Sequence, residues 1–466
     1  MMNKSTPFLI TIFLFLCFAN CNEKLKVSPA ETPPDDYLIT GVSIISMLSN
    51  EVLPPQNVWI RDGKIASIGK PNLEKRPNII DGTGKFLIPG LTEMHAHIPI
   101  ARRDGDSLVM ETLFLYLSQG VTNIRGMLGD PYHLELRKLA NEKNILSPRI
   151  YTSSPSMNGN SISTAEEAIT KVKQYKNDGY DFLKIHPGIK IEVWDALENT
   201  AKEVNMPFAG HVPVEVGIRR ALDARYTTID HMDGYLEGLV PSSENVDPNK
   251  NGFFGYDFTD LADESLMDEL VDKTLANDVA IVTTQTLFSR WFSPTPIKDL
   301  ANAPEMKYIS PKKRYTWISS KNSLTENENF TKEKWERFFN IRKKLLQKMD
   351  KKGVTFLLGS DAPQVFNVPG FSIHHEMQDM ADAGISNYKI LQSGTSNPAD
   401  FFDATGKYGT IQIGATADLV LLNGNPLEDI SQSKNIAGVM LGKRWLSKDF
   451  IDKELEKIAN NYRDEN

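Results

Sequence analysis

Gly90-Leu91-Thr92-Glu93-Met94-His95-Ala96-His97 is the stretch on which the reading of this chain turns. An apolar run ends on two histidines one residue apart, and residues two apart on a strand point to the same face, so both imidazoles can approach one point. With eight histidines among 466 residues, a His-x-His arises from composition alone about one time in seven. The pair therefore gains its weight from what lies around it. Working outward, strand-like apolar runs alternate with helical patterns, the signature of βαβ units and a parallel sheet. Eight such runs are Leu91-His97, Val121-Met127, Arg149-Ser154, Phe182-His186, Pro207-Val212, Thr227-Met232, Val279-Thr284 and Thr355-Asp361. Eight parallel strands predict an α/β fold of the (β/α)8 TIM-barrel type, whose reactive groups gather at the C-terminal strand ends.

Ligand-type residues recur at those ends. Lys184 and His186 end the fourth run, His211 the fifth, His231 the sixth and Asp361 the eighth. Each has a bland alternative: a lone His211 or His231 is commonly a hydrogen-bonded structural group, Asp361 after Gly359-Ser360 suits a helix cap, and Lys184 alone suits a snorkelling lysine. Coincidence at five strand ends favours a metal site for the group. The only cysteines, Cys17 and Cys21, fall within the first 21 residues; if that segment is an export signal, the folded part has no thiol and any ion must be held by nitrogen and oxygen, a donor set that zinc accepts.

Composition bounds the rest. Sixty acidic against 52 basic residues, net charge −8, leave no basic stripe for nucleic acid. Lys4 followed by the apolar run Phe8 to Phe18 reads as a secretory signal over residues 1–20, shorter than a spanning helix requires. Phe18-Ala19-Asn20-Cys21 resembles a loose bacterial lipobox, with Asn20 an unusual residue before the cleavage point. The expectation is an exported protein of the periplasm or cell envelope, touching membrane only through a lipid at Cys21. Residues 21–36, polar and proline-containing, read as a tether. β-Rich runs over 37–88 and again over 401–447 predict a small β-sandwich built from both chain ends. The barrel occupies 89–400, and 448–466 form a C-terminal helix or tail. Long insertions after the sixth and seventh runs carry Phe253, Phe254, Tyr256, Phe288, Trp291, Phe292, Tyr308, Trp317 and Trp335. These either form a lid over the barrel mouth or simply pack extra helices together.

From Tyr37 to Trp445 the chain resembles the amidohydrolase superfamily, in its two-metal subtype, within the group similar to imidazolonepropionases and Xaa-Pro or Xaa-Arg dipeptidases. The carriers are Ile80-Asp81-Gly82-Thr83-Gly84 leading into Ile88 through His97, Phe182-Leu183-Lys184-Ile185, Gly210-His211-Val212, Asp230-His231, Gly359-Ser360-Asp361, Thr395-Ser396-Asn397-Pro398-Ala399, and Gly409 through Leu422. The resemblance implies that His95, His97 and Asp361 hold one divalent ion, zinc by chemistry, and His211 and His231 a second. Lys184, carboxylated by carbon dioxide, bridges them. A hydroxide between the metals is the implied nucleophile, with Asp361 passing its proton to the departing amine. Imidazolonepropionases proper hold one metal without the lysine, so Lys184 favours the dipeptidase-like branch over urease-like or deaminase activity.

The substrate implied is a small amide, such as a dipeptide or N-acyl amino acid. A lactonase or phosphotriesterase is the alternative enzyme, and an inactive metal-binding lipoprotein scaffold the alternative of another class. Arg125 at the end of the second run, Tyr235 four residues after His231, and Arg290 beyond the seventh run are candidates for substrate binding. For each, an ordinary packing role stands level. His133 and the pair His374-His375 are expected in surface roles, and oligomerisation stays open.

Overall fold

The computed structural model describes residues 36–71, 76–101 and 106–463. The expected signal segment with Cys17 and Cys21, and the tether up to residue 35, lie outside the described residues. Among the described residues no helix is long and apolar enough to cross a membrane.

Eight parallel strands form the barrel, in chain order Leu91–Ala96, Val121–Gly126, Arg149–Met157, Phe182–Ile185, Phe208–Gly210, Thr228–Asp230, Ala280–Val282 and Phe356–Leu357. Each pairs with the next. The ring closes where Met94 N donates to Leu358 O and His97 N to Ala362 O, both at 2.8 Å, with a parallel bridge between Ala96 and Ala362. All eight predicted runs are therefore strands, the third, Arg149–Met157, longer than its run and the others shorter. Closure juxtaposes the first and eighth strand ends, where His95, His97 and Asp361 sit. Gly359 permits the approach: a Cβ there would lie 2.5 Å from Val282 Cγ1 and 3.0 Å from His95 Cβ.

Several of the helices around the barrel bury one stripe of side chains. Lys332–Lys352, for example, buries Phe338, Ile341, Arg342, Leu345, Leu346 and Met349, a spacing that keeps them on one face at the helical period. Ala165–Asp178 begins in a reciprocal capping box of Thr164 and Glu167 and ends on left-handed Gly179.

The chain ends build a second, mixed sheet of eight strands. Its order is Arg444–Ser447, Ile436–Leu441, Asp418–Leu422, Phe86–Pro89, Asp36–Ile44, Leu53–Arg61 and Lys64–Ile68, with Asn78–Asp81 also paired to Asp36–Ile44. An antiparallel bridge between Lys64 and Thr416 ties the front hairpin to the segment entering Asp418–Leu422. The sheet encloses its own core of Ile39, Ile44, Ile60, Leu87, Leu419 and Met440. The expected β domain from both chain ends is thus present as a continuous hydrogen-bonded sheet, joined by the pairing of Phe86–Pro89 with Asp418–Leu422. Helix Lys448–Asn461 follows it.

Candidate metal centre and active site

The six side chains His95, His97, Lys184, His211, His231 and Asp361 line one cavity of about 220 Å³, whose wall is completed by His186, Phe253, Phe254, Leu287, Trp291 and Gln364. His95, Lys184 and His231 are almost fully buried. Backbone geometry explains how strand ends deliver them. His231 (φ 64°), Thr284 (φ 43°) and Asp361 (φ 60°) all adopt left-handed backbone where their strands stop. Such conformations are costly for residues other than glycine and cluster at functional sites. Here they turn the chain off the ladder and leave the side chains directed at the barrel axis.

Donor atoms converge at short range. His97 Nε2 lies 2.6 Å and His95 Nε2 3.4 Å from Asp361 Oδ1. His95, His231 and Asp361 each offer one donor atom within 4.8 Å of the others. The rings of His95 and His231 are 4.6 Å apart, and those of His211 and His231 4.7 Å. Yet His95 Nδ1, Lys184 Nζ, Asp230 Oδ2 and Asp361 Oδ1 are buried without a hydrogen-bond partner among the described residues. Buried polar atoms are nearly always paired. Close approach without mutual hydrogen bonding is what lone pairs aimed at a shared cation produce, and a nitrogen and oxygen donor set of this kind suits zinc.

Charge states agree with ligation. Burial, reinforced by Lys184, holds His95 well below the ordinary histidine value and brings His211 down to about 3. Burial, with His95 beside it, does the same for His231. Neutral imidazoles are the ligating form. Lys184 is likewise depressed by burial, against the opposing pull of Asp230 and Asp361, so its amine is more readily neutral than an exposed lysine.

Supporting groups that sequence reasoning missed fix the orientation of these rings. Asp233 Oδ2 sits 2.9 Å from His211 Nδ1 and also accepts from Val212 N, leaving His211 Nε2 toward the cavity. Thr284 Oγ1 is 2.9 Å from His231 Nδ1, and Arg342 donates to the His231 carbonyl at 2.8 Å. Carboxylate and hydroxyl partners of this sort set the tautomer of a ligating histidine. His186 Nδ1 lies 2.7 Å from Ser156 Oγ, which also accepts from Asn158 Nδ2. Only Asp233, two residues after His231, carried a local signal; the other partners come from distant segments.

The substrate-binding expectations need correction, because none of the three residues lines the cavity. Arg125 is fully buried inside the barrel, over the Phe182 ring at 4.5 Å, and donates to Thr228 Oγ1 at 2.9 Å. Thr228 in turn donates to Asp230 Oδ1 at 2.8 Å, and Asp230 Oδ2 faces His95 Nδ1 at 3.1 Å. Arg125 therefore braces the site from below. Tyr235 OH is 2.6 Å from Thr274 Oγ1 in the core. Arg290 turns away to Glu305 and the Phe366 carbonyl. His133 and His374 are buried rather than exposed, beside Pro99 O and Ser433 Oγ respectively. Tyr235→Phe is accordingly expected to lower stability by about 1 kcal/mol while leaving KM within twofold of wild type. Urea unfolding and steady-state kinetics check this, and a large KM increase would restore a substrate role.

The aromatic insertions divide between the two expected roles. Phe253, Phe254 and Trp291 line the cavity, whereas Tyr256, Phe292 and Phe338 pack behind them edge to face. Leu287 and Trp291 come from a π-helical turn, Leu287–Trp291, and buried Lys321 Nζ ties that turn down by donating to the carbonyls of Arg290, Trp291 and Ser293.

Residues 299–446 match the amidohydrolase family. An adenine deaminase of Paracoccus denitrificans is 31% identical over 68 residues, 14% of this chain and 11% of that protein. One from Clostridium perfringens is 28% identical over 188 residues, 36% of this chain and 31% of that protein. The chain thus aligns with a third or less of the length of these curated relatives. Among solved structures, bottromycin amidohydrolase superposes with TM-score 0.70 at 19% identity, over 92% of this chain and 91% of that one. A Xaa-Pro dipeptidase with methionine bound in its active site gives 0.63 at 20% identity, over 88% and 100%. At such identities these structures establish a shared fold. The family match covers residues 299–446, and the barrel fold is one that the amidohydrolase and dipeptidase structures share.

Proposed function

We propose that the chain is a two-metal hydrolase that cleaves the C–N bond of a small amide, such as a dipeptide or an N-acyl amino acid. The observation that carries this is the convergence of six ligand-type side chains from five strand ends, with buried donor atoms that find no hydrogen-bond partner among the described residues. His95, His97 and Asp361 would hold one ion, and His211 and His231 the other. Lys184, buried among them, would lie between the two as a carbamate, formed when its neutral amine adds to carbon dioxide and loses a proton. Bound there, zinc ions supply a water of lowered pKa and polarise the scissile carbonyl.

The remaining work falls to the side chains. Asp361 accepts the proton from the attacking water and returns it to the departing nitrogen, the double duty of a positioned carboxylate. His186, with Nδ1 fixed by Ser156, turns its other ring nitrogen to the cavity as a hydrogen-bonding group for a substrate oxygen. A cavity of about 220 Å³ falls below the roughly 300–1,000 Å³ of drug-sized pockets, which supports a small substrate. The matches to adenine deaminases favour a second reading, hydrolytic removal of a ring amine, distinguished by ammonia release. Anchoring at Cys21 in the cell envelope rests on sequence; recovery of the full-length protein with no membrane-associated fraction would end it.

Metal analysis with a substrate panel tests the main reading. Purified protein is expected to hold about two ions per chain, and Lys184→Ala to lower both metal content and amide hydrolysis by at least about 100-fold. Less than one ion per chain, together with a silent Lys184→Ala, would overturn the two-metal mechanism. Turnover of lactones or phosphotriesters without amides would reassign the reaction.

A further inference from the structure

The loop Gly252-Phe253-Phe254-Gly255 sits against the second half of the site. The Phe254 ring is 5.3 Å from that of His231 and 5.8 Å from that of His211. Phe254 itself has φ 53° and ψ 45°, a left-handed backbone in which a bulky aromatic is a genuine outlier. Neither flanking glycine is replaceable without collision: a Cβ on Gly252 would meet the Asp257 carboxylate at 2.6 Å, and one on Gly255 the Glu237 carboxylate at 2.8 Å. The loop is tied down as well, since Asn251 Nδ2 donates to Glu237 Oε1 at 2.7 Å. Behind Phe254, the rings of Phe253 and Phe288 stand edge to face at 4.7 and 5.2 Å. A strained aromatic held over the reacting end of a cavity costs stability, and such strain persists where the surrounding structure enforces it.

We propose that Phe254, with Phe253, Leu287 and Trp291, forms an apolar subsite for a substituent directly flanking the scissile C–N bond, so that the substrates are amides bearing an aromatic or branched aliphatic group. This rests on the amide-hydrolase reading and adds the substrate class. Phe253, Phe254, Leu287 and Trp291 contribute aromatic and aliphatic surface to a cavity whose other lining residues are the histidines, Lys184, Asp361 and Gln364. A small polar substituent placed there would lose its water without a partner, whereas an apolar ring gains both burial and edge-to-face contact.

Two matched series separate the proposal from the reading beneath it. One varies the acyl group of a simple amide from acetyl through isobutyryl to phenylacetyl; the other varies the amine side in the same steps. With metal-loaded enzyme, kcat/KM in at least one series is expected to rise about 100-fold from the smallest to the phenyl member. Phe254→Gly and Phe254→Asn, which both accept left-handed backbone, are expected to remove about tenfold of that rise, chiefly through KM, with the thermal midpoint unchanged or raised. Calorimetric binding of the same amides should show the same ranking and the same loss. A flat response to apolar size in both series, or variants that keep the full discrimination, overturns the subsite. If no amide is hydrolysed but binding still ranks by apolar size and collapses in both variants, the subsite stands and the amide-hydrolase reading falls.

Discussion

Asp361→Asn is expected to lower kcat for amide hydrolysis by about 10³-fold, within the 10²–10⁴ that a positioned acid–base group supplies, while leaving the fold intact. The substitution is chosen for the backbone as much as for the charge. Asp361 has φ 60°, and asparagine is among the few residues that tolerate this region, so the turn after the eighth strand survives. Asparagine also keeps one oxygen that can lie near His97, whose Nε2 is 2.6 Å from Asp361 Oδ1. It cannot take up and return a proton. The outcome that matters is therefore a split: a collapsed kcat, a thermal midpoint within a few degrees of wild type, and metal content reduced by far less than the rate. Asp361→Leu serves as the contrast, since a branched side chain in left-handed backbone is expected to lose stability along with activity. If Asp361→Asn retained a tenth or more of wild-type kcat, the proton-transfer role would have to move to another group.

Much of this arrangement is legible in the sequence, for a definite reason. Barrel strands buried on both faces read as short apolar runs, and the end of each run is where chemistry can be attached, so His95, His97, His211, His231 and Asp361 could be nominated largely from chemistry and position, whereas Lys184 rested on the family resemblance. Strand lengths were less legible. Phe208–Gly210 and Thr228–Asp230 keep only short ladders, because beyond them the chain leaves extended geometry; His231 has already turned to φ 64°. Direction was the other hidden quantity. Arg290 and Trp291 are neighbours on one π-helical turn, yet Trp291 and Leu287, four residues apart, share the face toward the cavity while Arg290 points at Glu305. Arg125 and Tyr235 failed for the same reason: proximity in sequence to a strand end says nothing about which layer of the barrel a long side chain reaches. The partners Thr284, Ser156 and Arg342 depend on pairings between distant segments, which composition and spacing do not encode.

Glu93 should be the residue on which the closure of the barrel leans hardest. It is fully buried and joins the first strand to the eighth, accepting from His95 N at 3.0 Å and Ser360 N at 2.8 Å while its other oxygen shares a 2.5 Å hydrogen bond with Ser360 Oγ. His95 and Asp361 are thereby held in one frame. Removing the carboxyl leaves buried donors unpaired, each worth about 1–3 kcal/mol, so Glu93→Ala is expected to destabilise the protein by about 3 kcal/mol or more and to lower hydrolysis at least tenfold.

Glu93→Gln keeps the shape and tests the charge. Burial raises the Glu93 carboxyl to about 8, against about 4.3 in an unfolded chain. Between those values the folded protein holds a proton that the unfolded chain has released, so stability falls as pH rises through the window and levels off above it. Glutamine has no such slope. Relative to wild type, Glu93→Gln should thus gain stability from pH 5 to pH 8.5, by an amount on the order of 3 kcal/mol, read from urea unfolding of chelator-treated samples. Buried histidines pull the other way below their ordinary value, but they titrate alike in both proteins and drop out of the difference. A difference that stayed flat across this range would mean that Glu93 is ionised in the folded barrel. The frame between His95 and Asp361 would then be held by a buried charge accepting from Ser360 and the His95 backbone, in place of a neutral acid.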